Sequence, residues 1–311
     1  MLKTMEVKKP NFFIVGAAKS GTTALYTYLK QHPEIFMSDR KETRFFGSDL
    51  YERFPHFHLF HRPDLDEYLS YFKDVTFEKR IGEATPSYLV SERAAKEIKE
   101  FNPKAKIIIM LRNPVDLLYS VHSQHIYDGS ENIDDFWKAI NATMEERQKI
   151  SRNKEKPFVD KYYYMELPKF YKQVKRYLDV FGKENVHIII FDDFKNDTRK
   201  CYIETLKFLE VSLDFEPEFK IVNPNKVIRS KKLKSLLESP PYIVKLLVKI
   251  IPYNIRRELF NKLWNFATST KYKPRPPLDE SIRKKLQFQF KDEIEKLSLL
   301  INRDLTHWCK M

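Results

Sequence analysis

The stretch FFIVGAAKSGTTALYTYL, residues 12–29, decides the fold. It opens with an apolar run that ends at Gly16, the pattern of a strand buried on both faces. After the turn AAKSG, apolar residues return at Ala24, Leu25, Tyr28 and Leu29, the spacing of one helix face, and Pro33 marks the stop. A parallel strand that runs through a glycine-containing turn into a helix is an anion site. Free backbone N–H groups and the positive end of the helix dipole face the ligand there. Gly16 and Gly21 permit close approach, Lys19 supplies charge, and Ser20, Thr22 and Thr23 supply hydroxyls. The order is G-x-x-K-S-G-T-T, whereas a Walker A loop reads G-x-x-x-x-G-K-[ST]. A lysine placed before the second glycine argues against a Mg-ATP cradle. The plain alternative is a strand–helix turn with a solvated lysine.

Working outward, strands are expected at 35–38, 106–111 (KIIIML) and 185–191 (NVHIIIF). Helices are expected at 20–31, 91–101 with Ser91 as N-cap, 114–125, 133–150, 166–181 and 197–209. Residues 40–80 read as aromatic, His-rich loop and short helices over a site, and Glu83 falls at a strand end. Strands alternating with helices predict an α/β fold: a P-loop-like parallel sheet with helices on both faces. A helical C-terminal cap is expected beside it. The 311 residues read as a single domain, core about 10–235 and 277–311, with a helical basic insertion at about 240–276.

Composition sets outer bounds. With 42 % hydrophobic and 14 % aromatic residues the chain can bury a core and is not of disordered type. Two distant cysteines, Cys201 and Cys309, give no disulfide framework and suggest a reducing compartment. The segment MLKTMEVKKPN has no apolar h-region, and no stretch is long enough to span a bilayer, so the expected location is cytoplasmic. A net charge of +13 favours anionic partners without choosing among nucleotides, nucleic acid, acidic sugars or lipid headgroups.

GAAKSGTTAL together with LRNPVDLLYSVHSQHI (111–126) resembles the sulfotransferases that use 3′-phosphoadenosine 5′-phosphosulfate (PAPS), above all the heparan sulfate sulfotransferase domains and their bacterial relatives. KETRFF (41–46), GEATPSYL (82–89) and the C-terminal RPPLDESIRKKL…LINRDLTHW extend the likeness over most of the chain, in the family's order. The resemblance implies an enzyme of the 2.8.2 class, with PAPS as donor, PAP as product and no metal. Loop residues Lys19, Ser20, Gly21, Thr22 and Thr23 would hold the 5′-phosphosulfate, with Lys19 at the leaving group. Arg112 and Ser120 would hold the 3′-phosphate.

The chemistry of these residues is compatible with those roles. Arg112 follows a strand, so it belongs at the carboxyl edge where open α/β sheets bind ligands, and a guanidinium can grip a phosphate through two bonds. Ser120 lies about two helical turns further on. The bland alternative pairs Arg112 with Asp116 and leaves Ser120 merely packed. Glu42 matches the family's Glu-x-x-Phe-Phe pattern, whose glutamate is the catalytic base, and Phe45 and Phe46 would raise its pKa. Alone, it reads as a surface carboxylate between Lys41 and Arg44. Glu83 is the second carboxylate. Ala84 stands after it where heparan sulfotransferases often have Lys, which weakens any claim to their glycan specificity.

Other features stay open. His122 and His125 line an acceptor cleft or pack on their helix. His56, His58 and His61 alternate with aromatic residues and lack a zinc-ligand spacing, so no metal is expected. Lys226, Arg229 and Ser230 in NPNKVIRSKKLK match a late basic loop that closes on the 3′ side in the family, or form a solvated turn. Residues 240–276 hold eight Lys or Arg and one acid. They read as a helical cap or as an interfacial amphipathic segment making peripheral membrane contact. The expected partner is an acceptor small molecule, glycan or lipid-linked saccharide, and not nucleic acid. The competing readings are a P-loop kinase-like Mg-ATP phosphotransferase, with Asp192 and Asp193 as its nearest acid pair, and a non-catalytic nucleic-acid binder.

Overall fold

The structure is a computed structural model. It describes residues 8–128, 130–150, 161–220, 226–228, 259, 261–263, 266, 270–272 and 275–310. By its contacts the chain divides into two units, 1–222 with 278–311, and 223–277. The first unit carries a parallel sheet of five strands: β1 (Phe12–Gly16), β2 (Ile35–Met37), β3 (Arg80–Ala84), β4 (Lys106–Leu111) and β5 (Val186–Ile190). Their order is β2-β3-β1-β4-β5, so the chain leaves β1 to one side and returns past it to the other. That reversal places a ligand crevice at the carboxyl ends of β1 and β4.

Helices alternate with these strands. They are α1 (Thr22–Leu29), α2 (Asp49–Arg53), α3 (Leu65–Ser70), α4 (Ala94–Phe101), α5 (Pro114–Asp128), α6 (Phe136–Asn141), α7 (Met144–Ile150), α8 (Lys161–Glu166), α9 (Phe170–Phe181), α10 (Phe191–Asn196), α11 (Thr198–Leu209) and α12 (Glu280–Ile301). The helix expected over 133–150 is interrupted: α6 ends at Ala142, whose backbone is extended. Ser91 serves α4 as expected in kind, its hydroxyl accepting from the N–H of Arg93 and Ala94.

The alternation of strand side chains builds two cores. Phe13, Val15, Ile107, Ile109 and Leu111 pack under α4, α5, α9 and α12. Phe12, Ile14, Ile108 and Met110 pack under α1 and α11. Period-two alternation in strands that are apolar throughout yields this covering of both faces. The C-terminal helix is locked to the site helix by Arg283, which pairs with Asp116 of α5 at 2.8 Å. In the second unit, β6 (Lys226–Ile228) pairs antiparallel with β7 (Thr270–Tyr272).

Candidate active site

The loop after β1 is shaped by two glycines. A Cβ on Gly16 would come within 2.4 Å of the Cβ of Leu89, and Gly21 sits at φ +91 directly before α1. Gly21 offers no side chain to cap the helix, so no side chain covers the positive end of α1, where an anion is favoured. Ser20 is fully buried, and its hydroxyl donates back to the Ala18 carbonyl at 3.3 Å. Thr22 is likewise buried, and Thr23 is half-buried on the first turn.

Lys19 is held from two directions. Its carbonyl accepts a 2.9 Å bond from Arg112, the residue that follows β4. Its ammonium donates to Gln124 Oε1 of α5 at 3.1 Å. Arg112 also lies over the Phe191 ring, 4.7 Å from the centroid. The bland pairing of Arg112 with Asp116 is not what the structure shows, since Asp116 is taken by Arg283. Ser120 is buried on α5, one turn before Gln124.

Glu42 reaches the same edge by its backbone: its N–H donates to the carbonyl of Ala84, the last residue of β3, at 3.0 Å. Its carboxylate is 38 % exposed and bridges Lys41 at 2.9 Å and Arg44 at 2.7 Å. Burial pushes its pKa up, but Lys41, Arg44 and Lys19 outweigh this and hold it below the ordinary carboxylate value. The apolar wall expected to raise it faces elsewhere. Phe45 stacks on Tyr68 at 4.2 Å, and Phe46 is buried among Phe13, Tyr68, Tyr88 and Phe101.

Glu83 has the opposite setting. It is 0 % exposed; Oε1 accepts from Thr43 and Thr85 at 2.9 Å each and Oε2 from Tyr68 at 2.5 Å. Burial raises its pKa against those hydroxyls. A carboxylate so enclosed braces the KETRFF loop against β3 through Thr43. His122 is buried, and its Nε2 donates to the Ile133 carbonyl at 2.8 Å. His125 meets Ser130 Oγ through Nδ1 at 2.8 Å while Nε2 is buried with no partner. Burial lowers its pKa, with His122 and Lys19 acting in the same direction against Asp128 and Glu131. His56 packs 4.5 Å from the Tyr163 ring and 6.4 Å from His125; burial pushes its pKa down to about 3. His61 pairs with Glu67 at 2.6 Å instead of joining His56.

Sequence reasoning passed over Gln124 and Tyr163. The signal for Gln124 was available, since it stands four residues after Ser120 on the same helix face. Tyr163 lies on α8, and its phenol lies within the field of the Glu42 carboxylate. Lys226 falls in β6 of the other unit, while Arg229 and Ser230 lie outside the described residues, as does most of 240–276.

Residues 9–237 match the sulfotransferase domain family. The chain belongs to that family. A crystal structure of a sulfotransferase from Alicyclobacillus acidocaldarius is 30 % identical, covers 97 % of this chain and 100 % of its own, and superposes with a TM-score of 0.71. Human bifunctional heparan sulfate N-deacetylase/N-sulfotransferase 3 is 28 % identical over 216 residues, 65 % of this chain and 22 % of that protein. The membrane-associated sulfotransferase kil1 of Dictyostelium discoideum is 34 % identical over 110 residues, 34 % of this chain and 21 % of that protein. The matched part thus spans about a fifth of the length of these two curated relatives. Within this sulfotransferase domain, the acid pair considered for Mg-ATP is otherwise engaged. Asp192 accepts from Trp308 Nε1 at 2.8 Å, and Asp193 pairs with Arg303 at 2.9 Å. Among the described residues no helix is long and apolar enough to cross a membrane.

Proposed function

We propose that this protein moves a sulfuryl group from PAPS to an acceptor hydroxyl or amine, releasing PAP, by in-line displacement with Glu42 as base. The observation that carries the reading is the meeting of Lys19, Arg112 and Glu42 at the carboxyl edge of β1, β3 and β4. The acceptor oxygen or nitrogen forms a bond to sulfur as the sulfur–oxygen bond to the nucleotide breaks. The leaving oxygen takes the electron pair and the acceptor's proton passes to the Glu42 carboxylate. Lys19 and the N–H groups of the 16–23 loop oppose the charge that builds on the leaving group. Arg112, with Ser120 behind it on α5, supplies the contacts for the 3′-phosphate. Lys226, Arg229 and Ser230 are proposed to close on that phosphate on the strength of the sequence alone.

A saccharide acceptor is favoured by the heparan sulfate relatives, the mouse heparan sulfate glucosamine 3-O-sulfotransferase 6 among them at 34 % identity over 119 residues. A cytoplasmic location and peripheral membrane contact through 240–276 belong to the same proposal, on net charge and on the exposed Leu259, Leu263 and Phe266. The test is calorimetry without metal, PAP against ADP. Both carry adenine and two phosphates, and tighter PAP binding supports the reading. Preference for ADP, or binding only with Mg²⁺, would overturn it in favour of the phosphotransferase.

A further inference from the structure

Lys19 and Gln124 stand 105 residues apart, yet the ammonium of one donates to the amide oxygen of the other at 3.1 Å. An ammonium has donors only, so it is the amide oxygen that must face it. Gln124 lies one helical turn beyond Ser120, and Arg112, just before the same helix, holds the Lys19 carbonyl. A single segment, 112–124, therefore grips Lys19 at its carbonyl and its ammonium while carrying the residues proposed for the 3′-phosphate. Lys19 itself sits at φ +57, a left-handed conformation that sends its side chain out of the loop in a set direction.

The chemical identity of the partner matters. A lysine side chain is long and rotamer-rich, and an unguided ammonium spreads over many positions. A carboxylate at position 124 would fix it, but as an ion pair it would cancel the charge that the leaving group needs. An amide oxygen accepts one N–H bond from the ammonium and adds no charge. Glu42 is already close enough to Lys19 to be stabilised by it, so a second carboxylate would surround the lysine with anions.

We propose that Gln124 is a positioning residue that aims the Lys19 ammonium at the leaving group of the sulfuryl donor without neutralising it. This rests on the functional reading above, and it acts through Lys19, not on the acceptor.

The experiment needs no identified acceptor, because water serves: PAPS and water give PAP and sulfate. Single-turnover PAP release from PAPS and PAP affinity by calorimetry are measured for wild type, Gln124→Met, Gln124→Glu, Lys19→Ala and the double variant Lys19→Ala with Gln124→Met. The expected result is that Gln124→Met slows release by about 10- to 100-fold, the order of loss from a misaimed group. PAP affinity should be nearly kept, which also shows that the variant is folded. Gln124→Glu, which restores the bond but pairs the ammonium with an anion, should stay slow. In the Lys19→Ala background Gln124→Met should change nothing more, the non-additivity of residues acting as one unit. Release at the wild-type rate in Gln124→Met, an equal slowing with and without Lys19, or full activity in Gln124→Glu overturns the proposal and leaves the functional reading standing. A wild type that neither binds PAP nor releases it from PAPS overturns that reading and this proposal with it.

Discussion

Segments 41–46 and 82–89 each bring a glutamate to the end of β3, and the two carboxyls live in opposite worlds. Glu42 is partly exposed, clasped by Lys41 and Arg44 and close to Lys19, and its pKa is depressed. Glu83 is sealed under Thr43, Thr85 and Tyr68, with no cation in contact among the described residues, and its pKa is elevated. The first is ionised and reachable at neutral pH; the second holds the loop that carries the first. Distance from the sheet edge does not separate the proposed base from the brace. The charge and the solvent around each carboxyl do.

The largest effect should come from breaking the first of the pair. Glu42→Gln is expected to lower sulfuryl transfer by about 10²- to 10⁴-fold, the usual worth of a positioned base. PAP affinity should hold or rise slightly, since Lys19 loses an anionic neighbour. The pH profile sharpens the assignment. With its pKa held below the ordinary value of 4.5, Glu42 stays ionised throughout the neutral range, so its acid limb in kcat/KM should lie below that value. An acid limb near pH 6 would move the base to a histidine.

Next is the donor side. Arg112→Ala should weaken PAP by about 10- to 100-fold, the loss of one or two charge-assisted bonds to phosphate. Binding of 5′-AMP should fall far less. Equal losses for the two nucleotides would mean that Arg112 acts by holding the Lys19 carbonyl and not by gripping the 3′-phosphate.

Glu83 should show its role in stability. Glu83→Ala strands three buried hydroxyls and is expected to cost about 2–4 kcal/mol, with Glu83→Gln nearer to 1 kcal/mol. Signs differ between the two sites. The raised pKa of Glu83 means that its contribution is complete below about 4.5 and is lost as pH rises through its folded value, so its Gln variant should compare best at high pH. The lowered pKa of Glu42 means the reverse: its contribution is present above about 4.5 and is lost as pH falls through its folded value. Melting curves across pH separate the two.

The donor side was legible because its physics is local. A strand, two glycines and a lysine in eight residues specify an anion loop, and KIIIML followed by Arg puts a guanidinium at the matching edge. The acceptor side was not, because its groups meet only through tertiary packing. The 40–80 loop, α5 and α8 bring Glu42, His56, His125 and Tyr163 together from across residues 42–163, and no short spacing announces that. The pKa of Glu42 was misjudged for a related reason. Phe45 and Phe46 turn into the core, while Lys41 and Arg44 beside Glu42, and after them Lys19 from a distant loop, hold the carboxyl's pKa down.

The smallest effect tests the engaged acid pair against a metal-binding one. Asp192 accepts from Trp308 Nε1 and Asp193 pairs with Arg303, which together tie the C-terminal turn to α10. An amide at position 192 keeps an acceptor oxygen for the indole, so Asp192→Asn should cost no more than about 1 kcal/mol. It should leave PAP binding and transfer unchanged, with or without Mg²⁺. A metal-dependent phosphotransferase would behave otherwise, because removing a carboxylate from the metal's shell abolishes turnover while stability scarcely moves. Loss of activity in a well-folded Asp192→Asn would therefore turn the C-terminal brace back into a metal site and reverse the assignment of the donor.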